Sequence, residues 1–260
     1  MPRMDRREAA WRAPIGTELH RPDSRVVVRD DWVEVVTPSA PGNLLNEIYV
    51  SKVADEDAER VIDEVLADHA ARKKRVKWCV GHWTKPADFG ARLARRGFTA
   101  TPVRAMGCDA SLAIAVPDGV SFVEIDRSNL DAYLAVETRG WGIAPDQIPI
   151  ERESHLTALE GSPRTAHFFA AIWEAQMVGT AGVFLRDGYG YLVGSQILEH
   201  ARGKGIYRAL VAARLELLRA TGRAFAVTHA RDATSAPMLE HLGFETLFPY
   251  DVYYSPELSP

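Results

Sequence analysis

The stretch Ala201-Arg202-Gly203-Lys204-Gly205-Ile206-Tyr207-Arg208-Ala209-Leu210 is basic and punctuated by glycine, a combination suited to holding a phosphate. Gly203 and Gly205 let the backbone approach a ligand in dihedrals closed to other residues. A helix starting there aims unpaired N–H groups and the positive end of its dipole at the same place. A diphosphate fits such a turn. Two glycines between a strand and a helix also serve packing alone, so the flanking elements decide. Tyr189 to Leu198 reads as a buried strand; Ile206, Leu210, Ala213 and Leu217 repeat at helical spacing as far as Arg219, and Thr221-Gly222 supplies a stop. A second apolar strand, Ala224 to Thr228, and a short helix around Ser235 to His241, closed by Leu242-Gly243-Phe244, come next. The turn lacks the Gly-Lys-Ser/Thr ending of a P-loop and the third glycine and later ribose-binding acid of a dinucleotide fold.

With those elements placed, the segment from Val120 to roughly Ser255 resembles the GNAT superfamily of acyl-CoA-dependent N-acyltransferases. Its signature, Arg/Gln-x-x-Gly-x-Gly/Ala, opens a helix and is followed about forty residues later by Gly-Phe. Arg202 and Gly205 match, whereas Tyr207 stands where a small residue is expected. The resemblance implies an α/β fold with a mixed, mostly antiparallel sheet flanked by helices. It also implies acetyl-CoA as co-substrate and direct attack of a small-molecule primary amine on the thioester. The pantetheine arm is then expected along Ser195, Gln196 and Ile197, with a backbone N–H near Ile197 as oxyanion donor. The diphosphate is expected on the amides of Gly203, Lys204, Gly205, Ile206, Tyr207 and Arg208, with Arg202 and Lys204 as supporting charges. Gly194 marks either a bulge that opens the sheet or an ordinary strand glycine.

Proton transfer is less defined. Relatives often place a tyrosine, the acid for the thiolate, four residues before the Gly of Gly-Phe; here that position is Leu239. Tyr250, Tyr253 and Tyr254 either substitute for it or pack sheet faces, and a thiol with a reference pKa of about 8.5 also leaves as thiolate without an acid. For the base, Glu137 on a helix from Leu130 to Arg139 and His229 at a strand end opposite Ile197 are best placed. The plain alternatives are a solvated helix carboxylate, a histidine capping a strand end, and an ordered water as the base. Acceptor choice is assigned to Glu137 through Asp146, in which Trp141 is either an exposed wall or a plug into the core. An acyl-CoA-binding module without turnover, motivated by Leu239, is one alternative function. Another acyl-CoA reaction on the same fold, such as decarboxylation or O-acylation, is a second.

Composition agrees with an ordinary enzyme. The 260 residues are 47% hydrophobic, enough for one large core or two modest ones. Cys79 and Cys108 give no disulfide framework, so a reducing cytoplasm is expected. The eight histidines are scattered, and no metal site is expected. A formal charge of −4 disfavours nucleic acid and mildly favours cationic acceptors. No apolar run reaches membrane length and the N-terminus is too charged to begin a signal peptide, so no membrane partner is expected. Monomer or homodimer is left open.

Val116-Pro117-Asp118-Gly119 suggests a link between two domains, 1–114 and 120–260. Leu93-Ala94-Arg95-Arg96-Gly97-Phe98 echoes Leu239-Glu240-His241-Leu242-Gly243-Phe244 at an offset of 146 residues, which implies two copies of one fold. At that offset, positions 202 to 207 fall on Glu56-Asp57-Ala58-Glu59-Arg60-Val61, three carboxylates and no glycine. Carboxylates repel an anion from a helix start, so the N-terminal copy is expected to be silent toward CoA. Its task is then structural: it covers the sheet of the C-terminal half and walls its acceptor cleft with Trp78, His82 and Trp83, or else it buries these residues in its core.

Overall fold

A computed structural model of the chain describes residues 5–15, 21, 23–40 and 45–257. Its elements are α1 (Arg6–Arg12), β1 (Arg25–Val28), β2 (Trp32–Val36), β3 (Glu47–Ser51), α2 (Ala58–Ala71), β4 (Lys77–Val80), α3 (Phe89–Arg95), β5 (Thr99–Asp109) and β6 (Val120–Glu124). After them come α4 (Leu130–Trp141), α5 (Ile148–Leu159), β7 (Ala166–Trp173), β8 (Gln176–Leu185), β9 (Tyr189–Ile197), α6 (Ile206–Ala220), β10 (Phe225–Arg231), α7 (Ser235–His241) and β11 (Glu245–Tyr254). The fold is a mixed α/β one, as the sequence implies. No helix among the described residues is long and apolar enough to cross a membrane.

Two compact units arise. The first consists of Met1–Ala13, Met106–His229 and Met238–Leu247. In it β6, β7, β8 and β9 are neighbours in that order and antiparallel, and β10 adds to β9 in parallel. Val178 to Leu185 of β8 are all buried, the continuous apolar run of a strand covered on both faces. α6 turns Ile206, Leu210, Ala213 and Leu218 inward and stops where Gly222 takes a φ of 72°. α4 buries Leu130, Tyr133, Leu134 and Val136 and runs through Trp141, two residues beyond Arg139, until Gly142 ends it in the left-handed region. α5, not anticipated from its weak periodicity, packs against α4 and β7.

The second unit consists of Pro14–Ala105, Ala230–Pro237 and Phe248–Pro260. β1 to β4 are consecutive neighbours, and Asp251 to Tyr254 lie antiparallel on Val80 to Lys77. The units therefore differ from the contiguous division at 114–120. A strand belongs with its hydrogen-bonding partner, not its neighbour in sequence, so β11 from Phe248 onward is counted with the chain's N-terminal part; α1 is counted with its C-terminal part.

The order strand, helix, strand, helix, strand occurs twice, as β3-α2-β4-α3-β5 and as β9-α6-β10-α7-β11. α3 and α7 both have seven residues and start 146 residues apart, as do β5 and β11. Ala58 and Ile206, which open α2 and α6, are 148 apart, because the connection before α6 is longer. The ungapped comparison slips by two residues at that point.

Candidate active site

In the first unit β9 and β10 pair from Tyr189↔Phe225 to Leu192↔Thr228 and then part. The Thr228 hydroxyl donates to the Leu192 carbonyl, 2.8 Å away, and closes the ladder. Directly beyond, β9 shifts register against β8: Val193 faces Gly182 and Gln196 faces Thr180. Gly194 sits in this bulge with a φ of 59°, a conformation unfavourable for other residues. The bulge reading of Gly194 is the one observed. Leu198 N–H donates to Val178 of β8, so the N–H of Ile197, one residue back along an extended strand, turns away from β8.

The glycine turn continues from this splayed strand. Gly203 (φ 78°) and Gly205 (φ 74°) are both left-handed, and Gly205 is the N-cap of α6, which no side chain caps. A Cβ at Gly203 would meet open space, whereas one at Gly205 would lie 2.5 Å from Pro117 Cγ. Arg202 folds back so that Nε donates to the Ile197 carbonyl at 3.3 Å. Lys204 stays exposed, with Nζ 5.7 Å from the centre of the Trp173 ring. Arg208 is exposed and Ile206 buried.

Tyr207, the departure from the family signature, points inward. Burial raises its pKa, opposed by the charge and hydrogen bond of Arg214. Arg214 itself is 1% exposed. Its Nε donates to the Leu210 carbonyl at 2.8 Å and Nη1 to the Gly182 carbonyl at 3.4 Å. Burial lowers its pKa to about 10, while Tyr207 and Tyr133 favour the charged form. Tyr207, in the first turn of α6, is half-buried with its hydroxyl toward Arg214.

Glu137 is mostly covered, its side chain 14% exposed. Its Oε1 accepts from the Tyr133 hydroxyl at 3.2 Å and its Oε2 lies 3.3 Å from His155 Nε2. Burial raises the Tyr133 pKa well above the ordinary value, and the negative charge of Glu137 adds to it. Gln196 reaches across the same region, its Nε2 donating to the Val136 carbonyl (3.2 Å) and the Thr180 hydroxyl (3.1 Å), while its buried Oε1 has no protein partner. A Cβ at Gly140 would fall 1.9 Å from that Oε1, so any larger residue where α4 crosses the bulged strand would displace the Gln196 amide. Trp141 is 52% exposed, which favours the wall reading over the plug. Ser195 is half-buried.

The other two candidates, His229 and Tyr250, are engaged by other partners. His229, next to the last paired residue of β10, donates Nε2–H to the Ala10 carbonyl of α1 at 3.0 Å and stands edge-on to Tyr191. It fills the hydrogen-bonding role at a strand end. Tyr250 belongs to the second unit, where it packs with Trp83 and Phe248 beside Cys79, Val103 and Val252. Leu239 is buried, 2% exposed. His155 went unnoticed because α5 carries no clear apolar stripe and a lone histidine has no motif. Among the described residues no group of three or more His, Cys, Asp or Glu could hold a metal ion.

In the second unit the corresponding strands are closed by the chain itself. β3 and β4 pair only at Glu47↔Lys77 and Ile48↔Trp78. Lys85 then returns to β3, its N–H donating to Ser51 (3.1 Å) and its carbonyl accepting from Val53 (3.3 Å). Trp78 is fully buried, with Nε1 donating to Ser51 Oγ, Trp83 packs by Tyr49 and Tyr250, and His82 is exposed against Trp83 and Phe248. At the start of α2, Glu59 pairs with Arg92, Arg95 and Arg96, Asp55 with Arg92, and Asp57 with Arg60.

Residues 130–244 match the family described as "Acetyltransferase (GNAT) family". Similar solved structures include a functionally unknown conserved protein from Staphylococcus epidermidis, with a TM-score of 0.71 at 13% identity over 93% of this chain and 97% of that one. A GCN5-related N-acetyltransferase from Kribbella flavida gives 0.69 at 16% over 96% and 95%. A tandem GNAT protein from the clavulanic acid biosynthesis pathway gives 0.54 at 17% over 92% and 85%. At these identities the likeness is one of fold. No curated protein matches the chain.

Proposed function

We propose, from the match of residues 130–244 to the acetyltransferase (GNAT) family, that the chain moves an acetyl group from acetyl-CoA to a primary amine of a small molecule. The observation that carries this reading is the continuity of three features: a strand splayed at the Gly194 bulge, a left-handed glycine turn, and a helix start without a side-chain cap. Pantetheine pairs along Ser195 to Ile197, the Ile197 N–H receives the carbonyl oxygen's developing charge, and the amides from Gly203 to Arg208 receive the diphosphate. Arg202 steadies the strand end it already bonds, and Lys204 adds positive charge.

The amine lone pair forms the new N–C bond, the C–S bonding pair leaves with sulfur, and the thiolate takes a proton from water. Glu137 accepts the proton that the amine nitrogen loses. Its carboxylate is shielded from solvent, held by Tyr133, and lies one helical turn before exposed Trp141, whose ring suits a cationic or aromatic amine. The second unit takes no acyl-CoA, because Lys85 backbone pairs with the end of β3 and carboxylate–arginine pairs fill the start of α2.

Acetyl-CoA titration by calorimetry, followed by thiol release and product mass with benzylamine, tyramine, spermidine and glucosamine, tests the proposal. Binding with an N-acetylated product supports it. Binding without turnover of any amine would favour the alternative motivated by buried Leu239, a module that holds acyl-CoA.

A further inference from the structure

The side chain behind Glu137 is placed to control it. His155 of α5 is 7% exposed and lies between Phe168, with ring centres 4.5 Å apart, and Tyr133, at 5.4 Å. Its Nδ1 is 2.8 Å from the Glu151 carbonyl, which can only accept, so Nδ1 carries a hydrogen and the ring orientation is fixed. Nε2 lies 3.3 Å from Glu137 Oε2, within ion-pair distance, while Tyr133 holds Oε1. The titratable groups facing the ring are Glu137 and Tyr133 from α4 and Glu151 from its own helix; β7 contributes uncharged Phe168, and Arg214 of α6 acts on Tyr133.

We propose that His155 is the positioning residue of this site: standing beside Oε2, it decides by its own protonation when the Glu137 carboxylate accepts the amine's proton. This rests on Glu137 being the base. When imidazolium, His155 donates to Oε2 and satisfies the carboxylate, which is then a poor proton acceptor. When neutral, Nε2 presents a lone pair; the proton leaving the amine nitrogen goes to Glu137, and the resulting carboxylic acid donates its O–H to Nε2. Burial alone would lower the His155 pKa, but the hydrogen bond and charge of Glu137 outweigh it and the net direction is upward. The inactive imidazolium form therefore extends above the pH at which ordinary histidine loses its proton.

The test uses the full chain. In a 15N-histidine NMR titration, Nδ1 of His155 stays protonated throughout while Nε2 titrates, and Glu137→Gln moves that titration to lower pH. An unmoved titration overturns the proposal, and this readout needs no acceptor. With the best amine of the panel, His155→Gln, which keeps a donor and cannot titrate, lowers kcat about tenfold or more with little change in KM for acetyl-CoA, and its kcat profile loses the acid limb of the parent. A His155→Gln profile identical to the parent's, beside an inactive Glu137→Gln, overturns the role of His155 alone. Full activity in Glu137→Gln overturns the base assignment on which it rests. Thermal melts at pH 9 establish that both variants are folded.

Discussion

Gly203 and Gly205 look alike in sequence, yet they tolerate change differently. Both are left-handed, but only Gly203 has open space where a side chain would go; one at Gly205 collides with Pro117. Gly203→Asp is therefore the cleaner probe of the diphosphate seat, because it puts negative charge at the turn without displacing a neighbour. It should weaken acetyl-CoA binding about tenfold or more, about 1.4 kcal/mol, by calorimetry. Unchanged affinity would remove the turn from the binding site. His155 makes a second residue-level prediction. Its folded pKa is raised, so the stability it contributes is fully present below the unfolded histidine value of about 6.5 and is lost as pH rises through the raised folded value. Urea melts of His155→Phe should show a larger deficit at pH 6 than at pH 9; equal deficits would mean that the Glu137 pair does not contribute.

At the scale of elements, the crossing of α4 over the bulged β9 organises the site. Gln196 leaves the strand to bond the Val136 carbonyl of α4 and the Thr180 hydroxyl of β8, and Gly140 gives it room. Helix propensity alone says that Gly140→Ala should stabilise by about 1 kcal/mol. The close approach reverses that expectation: a cost of about 1–2 kcal/mol is predicted, because the Gln196 amide must abandon both partners. A raised melting temperature would show that the crossing is looser than described. The turn and the helix behind it were legible because glycines, basic residues and apolar spacing are local signals. The Tyr133, Glu137 and His155 arrangement was not, because its members come from two helices whose packing has no signature in either segment.

For the whole molecule, a calorimetric stoichiometry of one acyl-CoA per chain is expected, since the second unit satisfies its strand end and helix start with its own residues. Two acyl-CoA molecules per chain would show that the second unit binds as well. Replacing Glu56 and Glu59 by glutamine should not create a site, because Lys85 still pairs with Ser51 and Val53. Division of the chain was only half visible in sequence. The echo at Gly97 and Gly243 gave the recurrence of α3 and α7, but not the assignment of β11 residues to the unit that contains β4.

The linear sequence by itself determined which segments are strands and helices around the turn, where glycine must go left-handed, and that two similar series of elements follow one another. These depend on neighbours within a few residues. Tertiary structure alone decided that Tyr207 turns inward to Arg214, that His229 is engaged by α1, that Tyr250 packs in the other unit, and that His155 stands behind Glu137. A side chain's partners are fixed by which elements pack together, and that packing follows from burial of the whole apolar surface, not from any short stretch of chain.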